Sequence, residues 1–275
     1  MFISPRELFR EAEEKKVAIG AFNTSNLETT QAIIAGAATV DAPIIIATTP
    51  KAIAYAGLSE LFAIVKIAID ETEVPTTIHL DHCTEIELVK KCLNLGYRSV
   101  MFDGSRLSFP ENVAATRRVV DLAHRLDAFV EGEIGIIARG EEGERSIEKL
   151  TDPEEAKDFV RLTGVNTLAI SIGNVHGAPA GEKLDIGLLK KINQAVQIPL
   201  VLHGASGVSR SDLKMAIENG IRKVNIDTQL KKAFKGGLQE GVRDPNKELR
   251  DLLSDAKEDV EQVVVKYSKI LNNLE

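Results

Sequence analysis

The stretch Ile198-Pro199-Leu200-Val201-Leu202-His203-Gly204-Ala205-Ser206-Gly207 decides the fold. Apolar residues after a proline read as a strand buried on both faces. The strand ends in an imidazole, and a loop of small residues follows at once. Two more of the chain's five histidines stand in similar places. His82 closes Thr76-Thr77-Ile78-His79-Leu80-Asp81-His82, and His176 follows Thr167-Leu168-Ala169-Ile170-Ser171-Ile172-Gly173. A lone histidine at a strand end is more often a hydrogen-bonded rim residue than a ligand. Three at the ends of three strands make a metal site of the catalytic type, provided the strands are parallel and share one mouth.

Working outward, strand-like runs alternate with helical patterns along all 275 residues. The predicted strands are 17–23, 43–49, 76–81, 99–104, 129–135, 167–173, 199–204 and 223–228. Helical stretches lie between them: 27–40, 85–95 stopped by Gly96, one opened by Pro110, one opened by Asp152-Pro153-Glu154-Glu155, and 209–219 stopped by Gly220. Eight strands alternating with helices is the count of a closed barrel, and the strands read as apolar throughout without alternation, as expected of a parallel sheet covered on both sides. The expected fold is therefore α/β: a single (β/α)8 TIM barrel spanning 1–275, with an N-terminal helix and an added C-terminal amphipathic helix at about 246–273. An open doubly wound sheet is the alternative, but the first strand runs into Gly20-Ala21-Phe22-Asn23-Thr24-Ser25-Asn26 rather than Gly-x-Gly-x-x-Gly. In the C-terminal segment Leu249, Leu252, Leu253, Val260, Val263, Val264, Tyr267, Ile270 and Leu271 recur at helical spacing. Packing on the barrel exterior and contact with another subunit both account for that face, and a homo-oligomer, dimer or tetramer, is expected.

Composition narrows the function. Hydrophobic residues make up 44% and charged residues 27%, and the formal charge is -7. That balance argues against nucleic acid or an anionic membrane as partner. A small anionic substrate stays open, because helix N-termini and a metal supply local positive potential. Two cysteines, Cys83 and Cys92, fit no metal motif and no disulfide scaffold, and they point to a reducing, cytoplasmic setting. The N-terminus is charged within a few residues and does not read as a signal peptide. No apolar run approaches the roughly 20 residues of a membrane helix.

In parallel barrels the active site lies at the C-terminal ends of the strands. The polar residues there are Asn23, Thr48, Thr49, Asp81, His82, Asp103, Ser105, Glu131, Glu133, Asn174, His176, His203, Ser206, Asn225, Asp227 and Thr228. Asp81 reads as a general acid/base or as a carboxylate steadying a neighbouring imidazole. Glu133 reads as a metal ligand or a partner of one. His79, deeper in its strand, orients its neighbours, and His124 belongs to a solvated helical stretch. The charged segment 136–149 carries Glu141 and Glu142, which are either simply solvated or a base borne over the site by a mobile loop. Gly204-Ala205-Ser206-Gly207 and Asn225-Ile226-Asp227-Thr228 follow the last two strands, where barrels commonly cradle a phosphate. A metal beside a phosphate suits a carbonyl substrate with a phosphate tail, and hence aldol cleavage. No lysine ends a strand, which disfavours an imine route.

These residues resemble the class II, zinc-dependent ketose-bisphosphate aldolases, which include fructose- and tagatose-1,6-bisphosphate aldolases. The resemblance covers essentially the whole chain. It is carried by Ala18-Ile19-Gly20-Ala21-Phe22-Asn23, His79-Leu80-Asp81-His82-Cys83, Glu131-Gly132-Glu133-Ile134-Gly135, Gly173-Asn174-Val175-His176-Gly177, Leu202-His203-Gly204-Ala205-Ser206-Gly207 and Val224-Asn225-Ile226-Asp227-Thr228. It implies reversible cleavage of a phosphorylated ketose to dihydroxyacetone phosphate and an aldehyde through a zinc-stabilised ene-diolate. His82, His176 and His203 would hold Zn2+ (or another divalent metal), and Asp81 would move the proton on the oxygen at the reacting bond. Glu142 or Glu141 would handle the proton of the dihydroxyacetone phosphate carbanion. Gly177, Gly204, Ser206, Asp227 and Thr228 would bind that fragment's phosphate, with a monovalent cation nearby. Asn225 would contact the ene-diolate, Asn23 and Thr49 would complete the substrate site, and Glu133 and Asp103 match positions that hold an alternative or second metal.

Three departures bear on the substrate. No lysine follows His176-Gly177, where the chain reads Ala178-Pro179-Ala180. Asp244-Pro245-Asn246 stands where the family often has Asp-Pro-Arg, with Arg250 the nearest later arginine. The loop before Glu141 lacks the usual Gly-Gly. Loss of an arginine at a bidentate phosphate site is not conservative: the expected substrate is fructose 1,6-bisphosphate or a related ketose phosphate, and the alternative is a different, non-bisphosphorylated ketose 1-phosphate whose aldehyde is not glyceraldehyde 3-phosphate. Two other readings compete. An amidohydrolase-type zinc barrel would need His-x-His on the first strand, which is absent. A non-catalytic, metal-stapled sugar-phosphate-binding barrel would need no acid/base.

Overall fold

Ser4 opens the first element: its hydroxyl accepts from the Glu7 amide at 3.2 Å and Pro5 takes the first helical turn, giving α1 (Pro5–Lys15). The computed structural model describes residues 1–139, 149–177, 181 and 183–274. Strands β1 (Ile19–Asn23), β2 (Ile44–Thr48), β3 (Thr76–Cys83), β4 (Ser99–Phe102), β5 (Phe129–Ile134), β6 (Ala138–Arg139), β7 (Thr167–Ile170), β8 (Val175–His176), β9 (Leu200–Leu202) and β10 (Ile221–Ile226) follow in turn. The helices after α1 are α2 (Leu27–Thr39), α3 (Pro50–Ala56), α4 (Leu58–Asp70), α5 (Ile86–Leu95), α6 (Phe109–His124), α7 (Pro153–Thr163), α8 (Ile186–Val196), α9 (Arg210–Glu218), α10 (Thr228–Gly241) and α11 (Leu249–Leu271). Local chemistry sets the starts: Asp152 caps α7 by accepting from the amides of Glu154 and Glu155, and Ser209 caps α9 through the Asp212 amide. Each such cap contributes about 1 kcal/mol.

Eight strands close in the circular order β1, β10, β9, β7, β5, β4, β3, β2, every neighbour parallel. This is the (β/α)8 barrel expected. β6 and β8 form a separate two-stranded ribbon that pairs Arg139 with His176, for which the sequence holds no signal.

The strands do not read as apolar on both sides, which corrects the expectation. Ile78, Leu80, Val100, Phe102, Val130, Leu168, Ile170, Leu200, Leu202, Val224 and Ile226 belong to the large core shared with the helices. Their neighbours in sequence include His79, Asp81, Ser99, Glu131, Thr167, His203, Lys223 and Asn225, all buried. Period-two alternation turns these inward. Lys223 on β10 bonds Glu131 on β5, and these strands are not neighbours, so the contact crosses the barrel interior. The interior is thus a polar and charged column, lined otherwise by the small cluster Met101, Ala169 and Val201. At one end α1 seals the column: Leu8, Phe9 and Ala12 pack with Ile19, Ala21 and Ile45.

The C-terminal helix packs on the barrel exterior, one of its two expected roles. Val260, Val264, Ile270 and Leu271 of α11 are buried, each worth about 1.5–3 kcal/mol. Gly36 of α2 makes the approach close: a Cβ there would lie 2.8 Å from the Glu261 carbonyl oxygen and 2.8 Å from the Val264 Cβ. Among the described residues no single helix is long and apolar enough to cross a membrane.

Candidate active site

The C-terminal ends of the strands meet at a pocket of about 350 Å³. His82 reaches it because β3 is bulged: pairing with β4 shifts register between Leu80 and Cys83, and His82 adopts a left-handed backbone, φ 50°. A non-glycine residue there is strained by about 1–3 kcal/mol, and such strain gathers at functional sites. Asn174 braces the strand opposite, its amide donating to the His203 carbonyl at 3.0 Å.

The imidazoles are oriented by carboxylates. His203 Nε2 lies 2.9 Å from Glu131 Oε1, and His82 Nδ1 lies 3.2 Å from Asp103 Oδ2. An ionised carboxylate only accepts, so these nitrogens carry the hydrogens and the other nitrogen of each ring is left with its lone pair. Those two, His203 Nδ1 and His82 Nε2, face one another at 2.9 Å. Facing lone pairs at that distance call for a cation, either a proton on His82 or a metal. One ligand nitrogen from each of His82, His176 and His203 lies within 4.8 Å of the others, a spread that a neutral-nitrogen site for a borderline-soft ion accommodates. His82, Asp103 and Glu133 form a second set within the same limit, and Glu133 Oε2 is buried without a hydrogen-bond partner among the described residues. The residues therefore fit a metal.

Electrostatics follow from this crowding. Burial alone would lower the His82 pKa, but Asp81, the Asp103 hydrogen bond and Glu133 push it up to about 10. Burial, reinforced by the nearby Asp103 charge, pushes Glu133 up to about 8. Asp81 is buried, which would raise its pKa, yet its cationic neighbours, His82 foremost, hold the carboxyl well below the usual range. It is also clasped by two amides, accepting from Asn23 Nδ2 at 2.9 Å and from Asn225 Nδ2 at 3.0 Å. Asp81 is thus an ionised base whose direction is fixed from β1 and β10.

Beneath the imidazoles lies a charged network that sequence reading missed. Lys223 Nζ, on a side chain 1% exposed, sits 2.6 Å from Glu131 Oε2 and 3.3 Å from His79 Nε2, and His79 Nδ1 meets Ser99 Oγ at 2.7 Å. His79 orients its neighbours as expected, with burial holding its pKa down to about 3. Lys223 enters its strand at the far end from the mouth, so its ammonium backs Glu131 rather than meeting substrate. The only signal for it was the alternation of Arg222-Lys223-Val224-Asn225-Ile226.

The loops after β9 and β10 wall the pocket. Gly204 has φ +66°, and a Cβ on it would lie 2.7 Å from the Val175 carbonyl, so only glycine fits against the strand carrying His176. Ser206 Oγ, Asn23 Oδ1 and Asn225 Oδ1 are buried without hydrogen-bond partners among the described residues. Thr228 opens α10, which points its amide end into the pocket. Asn23, Thr49, Asp81, His82, His176, Gly177, His203, Gly204, Ser206, Asn225, Asp227 and Thr228 all line this one space, and Asp103 and Glu133 adjoin it through His82. Thr49 also caps α3, its hydroxyl accepting from the Ala52 amide at 3.2 Å. Thr48 turns away to Tyr97. Glu141 and Glu142 lie outside the described residues. Lys51, Thr84 and Lys231 line the pocket as well and were not foreseen.

The family model for class II fructose-bisphosphate aldolase matches residues 3–275. The chain belongs to that family. The aldolase is similar to the YdjI aldolase from Escherichia coli K12, with 30% identity over 98% of this chain and 97% of that one and a TM-score of 0.87. It is also similar to a provisionally assigned fructose-1,6-bisphosphate aldolase from Coccidioides immitis, 33% identical over 97% and 95% of the two chains, TM-score 0.89. A fructose-bisphosphate aldolase from Campylobacter jejuni, 23% identical over 98% and 95%, shares the fold with a TM-score of 0.82. The protein is a carbon–carbon lyase with a barrel scaffold, as the sequence motifs imply.

Proposed function

We propose that this aldolase reversibly cleaves a ketose 1-phosphate to dihydroxyacetone phosphate and an aldehyde, using Zn2+ or another divalent ion held by His82, His176 and His203. The observation that carries the reading is the meeting of these imidazoles, an ionised Asp81 and two small-residue loops in one pocket. Bound there, the ion supplies a Lewis acid for the ketose carbonyl, worth on the order of several kcal/mol. Asp81 takes the proton from the hydroxyl on the carbon that becomes the aldehyde, and the bond between that carbon and the carbon next to the carbonyl breaks. Asn23 and Asn225 keep the Asp81 oxygens aimed throughout. Glu142 or Glu141 returns a proton to the carbon left behind. The loops bearing Gly177, Gly204, Ser206, Asp227 and Thr228 hold the 1-phosphate through backbone N–H and hydroxyl donors. A monovalent cation beside the phosphate is part of the same reading, and replacing potassium by a tetraalkylammonium salt tests it.

The two cysteines are free and buried, which suits a cytoplasmic setting. Val242 and Leu249, exposed by 62% and 69%, support a dimer or tetramer, measurable by light scattering. Fructose 1,6-bisphosphate, tagatose 1,6-bisphosphate and singly phosphorylated ketoses, assayed side by side for release of dihydroxyacetone phosphate, test the substrate class. Release from none of them by the zinc-loaded enzyme refutes the proposal.

A further inference from the structure

The charges that line the pocket are unevenly committed. Two lysines line it. Lys231 is paired with Asp227 at 2.5 Å. Lys51 has no carboxylate partner among the described residues. The cations near the sequence position where the family often carries its arginine do not substitute: Arg243 pairs with Glu240, Lys247 with Asp255 and Arg250 with Glu248, and none of them lines the pocket.

Position in the barrel gives Lys51 a meaning. The phosphate loops follow β9 and β10. Lys51 follows β2, and going round the ring from β9 to β2 passes β10 and β1. His82 and Asp81 are on β3, next to β2 on its other side. A ketose with its 1-phosphate on the loops at Gly204 and Thr228, and its reacting carbons at Asp81, runs out toward β2 and β3. Its far end arrives on the side of the pocket that Lys51 and Thr84 line.

We propose that Lys51 binds an anionic group, phosphate or carboxylate, at the far end of the aldehyde fragment, and so determines which aldehydes the enzyme accepts. This rests on the ketose 1-phosphate reading and adds the chemistry of the other half of the substrate. It replaces the expectation drawn from the missing arginine: the far anion has a binding group, supplied from a different strand. An exposed ammonium reads charge rather than fork geometry, so it serves either anion, and its effect fades with added salt.

The experiment runs the metal-loaded enzyme in the condensation direction, with dihydroxyacetone phosphate and three aldehydes: glyceraldehyde 3-phosphate, succinic semialdehyde and uncharged glyceraldehyde. The wild type is expected to prefer one of the two anionic aldehydes, and which one identifies the anion. Lys51→Ala lowers kcat/KM for it by roughly ten- to a hundredfold, as removal of a hydrogen bond to a charged group does, chiefly through KM. Glyceraldehyde offers Lys51 nothing to bind and changes by no more than about twofold. Lys51→Arg restores most of the preference, and 0.5 M salt narrows it. An equal loss on all three aldehydes, no loss on any, or a wild-type preference for glyceraldehyde overturns the assignment while leaving the aldolase reading intact. Failure of the wild type to join dihydroxyacetone phosphate to any of the three overturns both.

Discussion

Replacing Lys223 by Met should be far more damaging than replacing Lys223 and Glu131 together. The two groups are buried to 1% and 2% exposure and 2.6 Å apart. At an effective dielectric constant near 20 their attraction is about 6 kcal/mol gross, against desolvation of several kcal/mol for each ion. The intact pair therefore contributes little net stability. Removing the lysine alone leaves a carboxylate deep in the barrel with a single histidine donor, and such an orphan costs about 3–5 kcal/mol. For a chain of this size that lowers the melting temperature by roughly 6–15 °C. Glu131→Gln with Lys223→Met removes both charges, keeps an oxygen for His203 Nε2, and should recover at least about 2 kcal/mol of the loss. Urea unfolding of the wild type, both single variants and the double variant gives the cycle, read at constant m. The acid limb provides a second readout. Burial would raise the Glu131 pKa, but Lys223 and the hydrogen bond to His203 hold it well below its ordinary value, so its stabilisation is present above the unfolded carboxyl pKa and is lost as pH falls. A Lys223→Met loss below about 1 kcal/mol, or a double variant as unstable as the sum of the singles, would refute the argument that this column is a coupled charge pair.

Asp81→Ala should lower aldol turnover by at least about a hundredfold, the range lost with a general acid/base, while metal content and far-ultraviolet circular dichroism stay unchanged; a non-catalytic sugar-phosphate-binding barrel would have no turnover for the substitution to remove. Metal affinity should rise with pH. His82, pushed up to about 10, must release its proton to ligate, and below about 8 Glu133 releases a second if it joins. Competition with a chelator between pH 6 and 9 should show up to about tenfold tighter binding per pH unit for each proton released, and a flat profile contradicts that account. In the metal-free protein the same raised His82 pKa stabilises the fold below its unfolded value of about 6.5, and that contribution is lost as pH rises through about 10.

Much of this was legible because the motifs sit where strand chemistry puts them. His82, His176 and His203 each close an apolar run, and Asp152, Ser209 and Gly96 mark helix ends by local hydrogen bonding and backbone conformation that a few residues determine. The alternation of Thr77-Ile78-His79-Leu80-Asp81 was equally visible, yet a covered parallel sheet suggested apolar faces on both sides. What the rule omitted is that the barrel interior is a separate environment, where charges persist by pairing across non-neighbouring strands. Lys223 and Glu131 are 92 residues apart and meet only once the ring closes. The β6–β8 ribbon and the bulge that turns His82 inward are likewise products of tertiary packing. Lys51 went unread because a lysine early in a helix looks solvated until the ring order sets it on the pocket wall.

The central claim is that three imidazoles converge on one ion. Anomalous diffraction from zinc-loaded crystals tests it most directly: a single strong peak is predicted within about 2.0–2.1 Å of a nitrogen of each of His82, His176 and His203. No peak at these nitrogens, or a peak bound elsewhere with turnover intact after chelation, would contradict it.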